Sequence, residues 1–296
     1  KSIILFWIDQ GIRIFRVDNP HTKPFAFWEW LISEVKADYP EVIFLAEAFT
    51  RPKIMYQLAK LGFSQSYTYF TWRNVKWELT QYFTELTQTD VREFFRFSLW
   101  PNTPDILSDY LRDGGRPAFM TRLVLAATLG ANYGIYGPAF ELCENHRKDR
   151  ESEEYLDSEK YELKHWDIES PNSLKDFIAR VNRIRRENPA LHNDLSLRFH
   201  SVDNDQLICY SKQTEDLANI ILVVVNLDCR YKQSGWVGLS LEELGLDHGQ
   251  PYEVHDLLAD ATYQWQGSQN YVELDPQNIP AHIFRIHQVD YHEKQL

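Results

Sequence analysis

GIRIFRVDNPH, residues 11–21, is a short apolar run that passes directly into polar, chain-turning residues. Arg13 to Asp18 reads as a β-strand, because alternate side chains there are bulky and apolar. Asn19-Pro20 then breaks the strand. A few residues on, Phe25, Trp28, Leu31, Ile32 and Val35 recur at the spacing of one helix face. The unit is therefore strand, polar loop, amphipathic helix.

The same unit returns along the chain. Glu41 to Ala46 (EVIFLA) predicts a second strand and a helix from Pro52, a residue suited to a first helical turn. Ser66 to Phe70 predicts a third strand and Trp77 to Thr87 its helix. Phe97 to Asn102 predicts a fourth, followed by helices through Leu111 and from Pro117 to Leu129. Tyr133 to Tyr136 predicts a fifth, and Ser173 to Asn188 a long helix carrying Phe177, Val181, Ile184 and Arg185 on one face.

Alternating strands and helices imply a parallel sheet with helices outside it. Polar residues gather where strands end, at Asp18, Glu47, Asp105 and beyond Tyr136, as on the loop face of a (β/α)8 TIM barrel. An open doubly wound sheet is the alternative, but no glycine-rich phosphate loop follows the first strand. About five βα units are legible. Lys1 is not a Met, and Ile3 to Ile8 reads like the tail of a buried helix. The expectation is the C-terminal part of a barrel, incomplete at its N-terminus, with earlier strands upstream.

After about residue 195 the pattern changes. Leu207 to Ser211, Ile220 to Asn226 and His282 to Ile286 are β-type runs separated by Asn, Asp, Gly and Pro. They predict a small antiparallel β-sandwich. With Asn188-Pro189 ending the last helix, the division expected is 1–192 for the partial barrel and 193–296 for the sandwich.

The 296 residues carry a net charge of −12, and 44% are hydrophobic, enough for a large core and a smaller one. An acidic chain lacks the basic footprint of a nucleic-acid partner. The longest apolar runs, such as Ile220 to Val225, are far too short to span a bilayer. Cys143, Cys209 and Cys229 are odd in number and widely spaced, which favours a reducing compartment over a disulfide framework. No His, Asp and Glu cluster has metal-ligand spacing, so neither a metal nor a cofactor is expected.

Asp18, Glu47 and Asp105 each end a predicted strand. Any one alone could be a helix cap. Three on one rim supply what retaining glycoside chemistry needs: a carboxylate nucleophile, a carboxylic acid and a group for sugar hydroxyls. Arg16, two residues before Asp18, shares its face of the strand and would favour the ionised carboxylate. Glu47 follows an apolar strand end, a setting that favours the protonated form.

These residues resemble the α-amylase clan of retaining glycosidases and transglycosidases. GIRIFRVD is similar to the clan's fourth-strand motif, FLAEAF to its fifth and NTPD to its seventh. The resemblance implies Asp18 as nucleophile, Glu47 as general acid/base, Asp105 as transition-state stabiliser and Arg16 as the partner of Asp18. Pro104 stands where the clan usually has a His, and Asn19-Pro20-His21 follows Asp18 where amylases place small residues and then Lys-His. Those departures match one branch. RVDNPHTKP, AEAFTRPK, QSYTYFTWRN, GIYGPAFELCEN and EYLDSEKYELKHWD resemble bacterial maltosyltransferases that extend α-1,4-glucan from α-maltose 1-phosphate.

That resemblance implies a double displacement, with the carboxyl groups of Asp18 and Glu47 about 5–5.5 Å apart. It implies Asn19 near the donor phosphate, and Lys160 and Tyr161 against the maltosyl unit. It also implies a role in glycogen synthesis, a bacterial cytoplasmic setting and a homodimer of the full-length protein. By residue pattern alone, the long acidic segment from Pro138 to Asp167 reads as a solvated loop. Tyr67, Tyr69, Phe70 and Trp72 read as core at least as readily as sugar platforms, with Tyr67 and Tyr69 sharing a strand face. His21 and His165 read as surface or packing residues. A hydrolase or other transglycosidase of the clan, and a relative that binds carbohydrate without catalysis, remain open. Five units cannot close an eight-stranded barrel, so residues 1–296 alone are expected to be inactive, poorly soluble or both.

Overall fold

The computed structural model describes residues 1–288. Helix α1 (Ser2–Asp9) leads into β1 (Ile14–Asp18), α2 (Phe25–Asp38), β2 (Ile43–Glu47) and α3 (Pro52–Lys60). Then come β3 (Gln65–Tyr67), α4 (Lys76–Gln88), β4 (Phe97–Ser98), α5 (Asp109–Leu129), α6 (Gly137–Glu141) and α7 (Lys175–Glu187). The four strands form one parallel sheet in the order β1-β2-β3-β4, with every neighbouring pair parallel. Trp28, Leu31, Ile32 and Val35 bury the inner stripe of α2 against Phe44 and Ala46 of β2. α5 bends at Gly115, whose φ of 56° suits glycine, and Pro117 opens its second segment, so two helical pieces stand where two were predicted.

Three strand predictions need correction. The third strand stops at Tyr67 because the Thr68 hydroxyl accepts from Phe70 N–H (3.3 Å) and caps a 3-10 turn over Tyr69–Trp72. The fourth is two residues long. Beyond it, the Asn102 side chain accepts from Tyr136 N–H (2.9 Å) and donates to the Tyr155 hydroxyl (2.8 Å), fixing a loop instead. The fifth is a single parallel bridge, Leu99 to Tyr133. The backbone at Gly134 lies so close beneath the Trp100 ring that a Cβ would come within 2.4 Å of it, and α6 soon begins at Gly137. α1 is a helix as expected, but only Ile8 is buried, and Ile3, Phe6 and Trp7 are exposed.

The remaining strands are β5 (Arg198–Val202), β6 (Leu207–Gln213), β7 (Ile220–Asn226), β8 (Gln233–Gly238), β9 (Pro251–Asp256), β10 (Ala261–Gln266), β11 (Gln269–Leu274) and β12 (Ala281–Gln288). All pair antiparallel, in the order β10-β9-β12-β7-β6-β5-β8-β11. β5 passes from one layer to the other: Arg198 to His200 pair with β6, Ser201 and Val202 with β8. Strand β7 is buried on both faces, which is why Ile220 to Val225 is an unbroken apolar run. Leu222 and Val224 point to the core of the β unit, whereas Ile221, Val223 and Val225 join the cluster that contains Leu123 and Leu125 of α5.

A buried cation sits at the junction between helices and β unit. Lys212 of β6 is fully buried with Nζ 3.1 Å from Asp194 Oδ1, an oxygen that also accepts from Ala131 N–H (2.6 Å). Burial holds the Lys212 amine below its ordinary pKa. Replacing Asp194 by Ala would strand that ammonium, an expected loss of about 3–5 kcal/mol. Lys212→Met removes the charge with its desolvation cost and leaves Asp194 its backbone partner, so it should cost markedly less. Urea denaturation of the two variants compares them, and equal midpoints would contradict the assignment.

Candidate active site

Strand alternation puts Arg16 and Asp18 on one face of β1, and the parallel register sets Asp18 directly beside Glu47 of β2. The Arg16 Nη2 lies 3.6 Å from Asp18 Oδ1 and 3.3 Å from Glu47 Oε1, so one guanidinium serves both carboxyl groups. The same guanidinium sits over the Tyr67 ring, 5.7 Å from its centroid. Asn19 follows in the left-handed region (φ 43°), which Asn tolerates better than most residues. Its N–H donates to the Glu47 carbonyl (3.1 Å) and points to Glu47 Oε2 (3.4 Å), while its side-chain amide donates to Asp18 Oδ2 (3.4 Å). The buried Trp28 indole N–H donates to the Pro20 carbonyl (2.7 Å) and pins the turn from below. DNPH is thus a built corner that orients both carboxyl groups.

The two carboxyl groups occupy opposite environments. The Asp18 side chain is 62% exposed and that of Glu47 only 6%. Burial pushes the Glu47 pKa up to about 7, against the opposing pull of Arg16 and of the Asn19 N–H, with the neighbouring Asp18 carboxylate adding to the rise. A proton is therefore available on Glu47 near neutrality beside the exposed carboxyl group of Asp18. That pairing can protonate a leaving group, form an ester and then deprotonate an incoming hydroxyl.

Asp105 belongs to a second polar group. It lies in a tight turn closed by the Thr103–Ile106 bridge, with its N–H donating to Thr103 Oγ1 (3.2 Å). Lys160 Nζ is 2.5 Å from Asp105 Oδ1 and 3.3 Å from Glu154 Oε1. The bonded Asp105 carboxylate holds the Lys160 amine above its ordinary pKa. Lys160 also lies 5.6 Å from the centroid of the exposed Tyr161 ring. Among the described residues Asp105 shares no cation with Asp18 or Glu47: Lys160 holds the first and Arg16 the other two.

Aromatic rings gather beside the first group and reach Glu153. Tyr67, under Arg16, stacks on Trp100 at 4.7 Å. Phe49 meets Tyr67, Tyr69 and Trp72 edge-on, and the Trp72 indole donates to Glu153 Oε1 (2.9 Å). The shared strand face expected for Tyr67 and Tyr69 is replaced by this common contact, because the chain leaves the strand after Tyr67. Phe70 turns inward under the buried guanidinium of Arg122, 3.6 Å from its centroid. Sequence reading missed Phe49, Trp100, Glu153 and Glu154. Phe49 stands two residues beyond Glu47, a usable signal, whereas the two glutamates lay in a segment read as solvated loop. A cleft of about 900 Å3 lies elsewhere, between the end of α7 and the β6–β7 turn. No group of three His, Cys, Asp or Glu is placed to hold a metal ion among the described residues.

A family model described as GLGE, C-terminal matches residues 199–286. The chain is 54% identical over 292 residues to the α-1,4-glucan:maltose-1-phosphate maltosyltransferase of Chlorobaculum tepidum, covering 97% of the chain and 43% of that protein. It is 55% identical over 288 residues to the enzyme of the same name from Methylacidiphilum infernorum, with the same coverage. The chain thus spans about two fifths of the length of the curated relatives it matches. Among solved structures, an α-amylase from Geobacillus thermoleovorans complexed with acarbose superposes with a TM-score of 0.68 at 18% identity, covering 96% of this chain and 62% of that one. An Anoxybacillus α-amylase gives 0.70 at 16%, covering 97% and 62%. At such identities the likeness concerns fold: parallel β/α units of an amylase barrel followed by an antiparallel β unit.

The shared guanidinium makes a quantitative demand on Glu47. Its carboxyl should titrate near 7 when followed by carbon-13 NMR of labelled glutamate. Arg16→Met removes the main influence opposing the rise, so the midpoint should move higher. A midpoint unchanged or lowered in the variant would show that Arg16 does not act on Glu47.

Proposed function

Because the chain is a relative of the α-1,4-glucan:maltose-1-phosphate maltosyltransferases in the α-amylase clan, we propose that the protein is a retaining maltosyltransferase. It moves a maltosyl unit from α-maltose 1-phosphate to the non-reducing end of an α-1,4-glucan. The observation that carries this reading is the Asp18–Glu47 pair: one carboxylate exposed, one buried and protonated near neutrality, both under Arg16.

In the first step an Asp18 oxygen attacks the anomeric carbon as its bond to the phosphate oxygen breaks. Glu47 assists with its proton and phosphate departs, leaving a β-maltosyl ester on Asp18. In the second step the 4-hydroxyl of the acceptor attacks that carbon, Glu47 takes the hydroxyl proton, and Asp18 is released with net retention. Asn19 would turn its side-chain amide from Asp18 towards the donor phosphate. Asp105, held by Lys160, would take sugar hydroxyls as positive charge builds on the ring. Tyr161, exposed beside Lys160, would lie against the maltosyl unit. We assign residues 1–192 to the catalytic barrel and 193–296 to the C-terminal β-sandwich. The setting we infer is glycogen-type glucan synthesis in the bacterial cytoplasm by a homodimeric full-length protein.

Full-length protein given α-maltose 1-phosphate and glycogen should release inorganic phosphate and lengthen glucan chains. Asp18→Ala should lower kcat by about 10⁴-fold or more, and Glu47→Gln by about 10²- to 10⁴-fold. Free maltose made from starch, without phosphate release from the donor, would replace this reading with that of a hydrolase.

A further inference from the structure

Trp236 of β8 and Tyr271 of β11 are direct cross-strand partners on the outer face of the β unit. Their ring centroids are 5.7 Å apart and their planes meet at 62°. Each side chain is about half exposed, 51% and 50%, while Val237 and Val272, the next residues along each strand, point inward and are buried. The two rings therefore contribute little to the core. Each ring supports the other, and the Trp236 main-chain N–H donates to Asp203 Oδ1 (2.7 Å), which fixes the backbone beneath them.

Polar groups flank the rings along both strands. On one side Gln269 and Ser201 close over Gly238, where a Cβ would come within 2.4 Å of Ser201 Oγ and 2.7 Å of Gln269 Nε2. On the other, Lys232 and Glu273 form an exposed ion pair at 3.0 Å. The patch thus offers aromatic faces, an amide, a hydroxyl and a pair of charges that cancel. Its apolar part is only two side chains, whereas a stable protein interface buries about 800 Å2 on each partner. The cancelled charges give an ionic ligand no advantage. A neutral polyol chain fits both features, since flat sugar faces cover aromatic rings while the hydroxyls bond to the flanking groups.

We propose that the Trp236–Tyr271 patch is a docking site for α-1,4-glucan, outside the carboxylate site. The inference rests on the reading of an α-glucan as acceptor. Anchoring a long polymer here keeps its chain ends at high effective concentration near the enzyme. The benefit therefore falls on long acceptors and leaves short ones unaffected.

The test is native electrophoresis of the full-length protein in gels with and without glycogen. Wild type should be retarded by glycogen, and the Trp236→Ala/Tyr271→Ala double variant should bind roughly tenfold more weakly or worse. Its mobility without glycogen should stay normal, and Trp236→Phe should keep most of the retardation. In phosphate-release assays the double variant should show a raised KM for glycogen, with unchanged kinetics on a short maltooligosaccharide acceptor. If the double variant fails to fold, oxidative footprinting of wild type should show Trp236 and Tyr271 protected by glycogen. Equal retardation of the two proteins, no retardation of wild type, or no protection overturns the proposal. Because retardation needs no turnover, a lack of phosphate release would refute the transferase reading while leaving the patch to be judged by the gel.

Discussion

The Arg16 guanidinium lies within 3.6 Å of Asp18 and 3.3 Å of Glu47, and the arrangement of the site follows from that shared contact. It exists because β1 and β2 run parallel with Asp18 opposite Glu47. A slip of one residue would turn either side chain to the other face of the sheet. One cation between two acids also lets them differ. Asp18 is open to solvent, whereas Glu47 is buried deeply enough that its proton is held to near neutrality despite Arg16. Two chemically similar groups acquire two roles from their surroundings alone.

The scaffold holds that register by packing on both sides of the strands and at the junction with the β unit. Strand β7 turns one set of side chains to the β core and the other to α5, so the two layers share a wall. Arg185 of α7 donates to the carbonyls of Gly130 (3.0 Å) and Ala131 (2.7 Å), tying α7 to the end of α5. Asp194 reaches the same loop through Ala131 N–H and holds the buried Lys212. These contacts satisfy helix-end carbonyls and a buried charge that would otherwise be costly inside the protein.

Much of this was legible in the chain. The apolar stripe of α2, the strands read in RIFRVD and EVIFLA, and the apolar run Ile220 to Val225 of β7 are all written in the hydrophobic pattern. So was the placing of Arg16 and Asp18 on one face. The misreadings cluster in residues 66–72, 97–102 and 133–136, where apolar and aromatic residues suggested longer strands. There the Thr68 hydroxyl, the Asn102 amide and the Gly134 backbone take the hydrogen bonds or space that a longer strand would use. Such competition between side chain and backbone leaves little trace in hydrophobic pattern.

By itself the sequence determined where the first two strands and the main helices lie, that Asp18 and Glu47 end those strands, and that Arg16 accompanies Asp18. Covalent geometry decides this, because side chains alternate along a strand and recur along a helix wherever it folds. Only the tertiary structure decided that Glu47 is buried while Asp18 is not, that Lys160 grips Asp105 across 55 positions of chain, and that Phe49 gathers Tyr67, Tyr69 and Trp72. It also decided that Trp236 and Tyr271 meet on an open face. Burial and long-range pairing depend on which surfaces come together in space, and no local period records that.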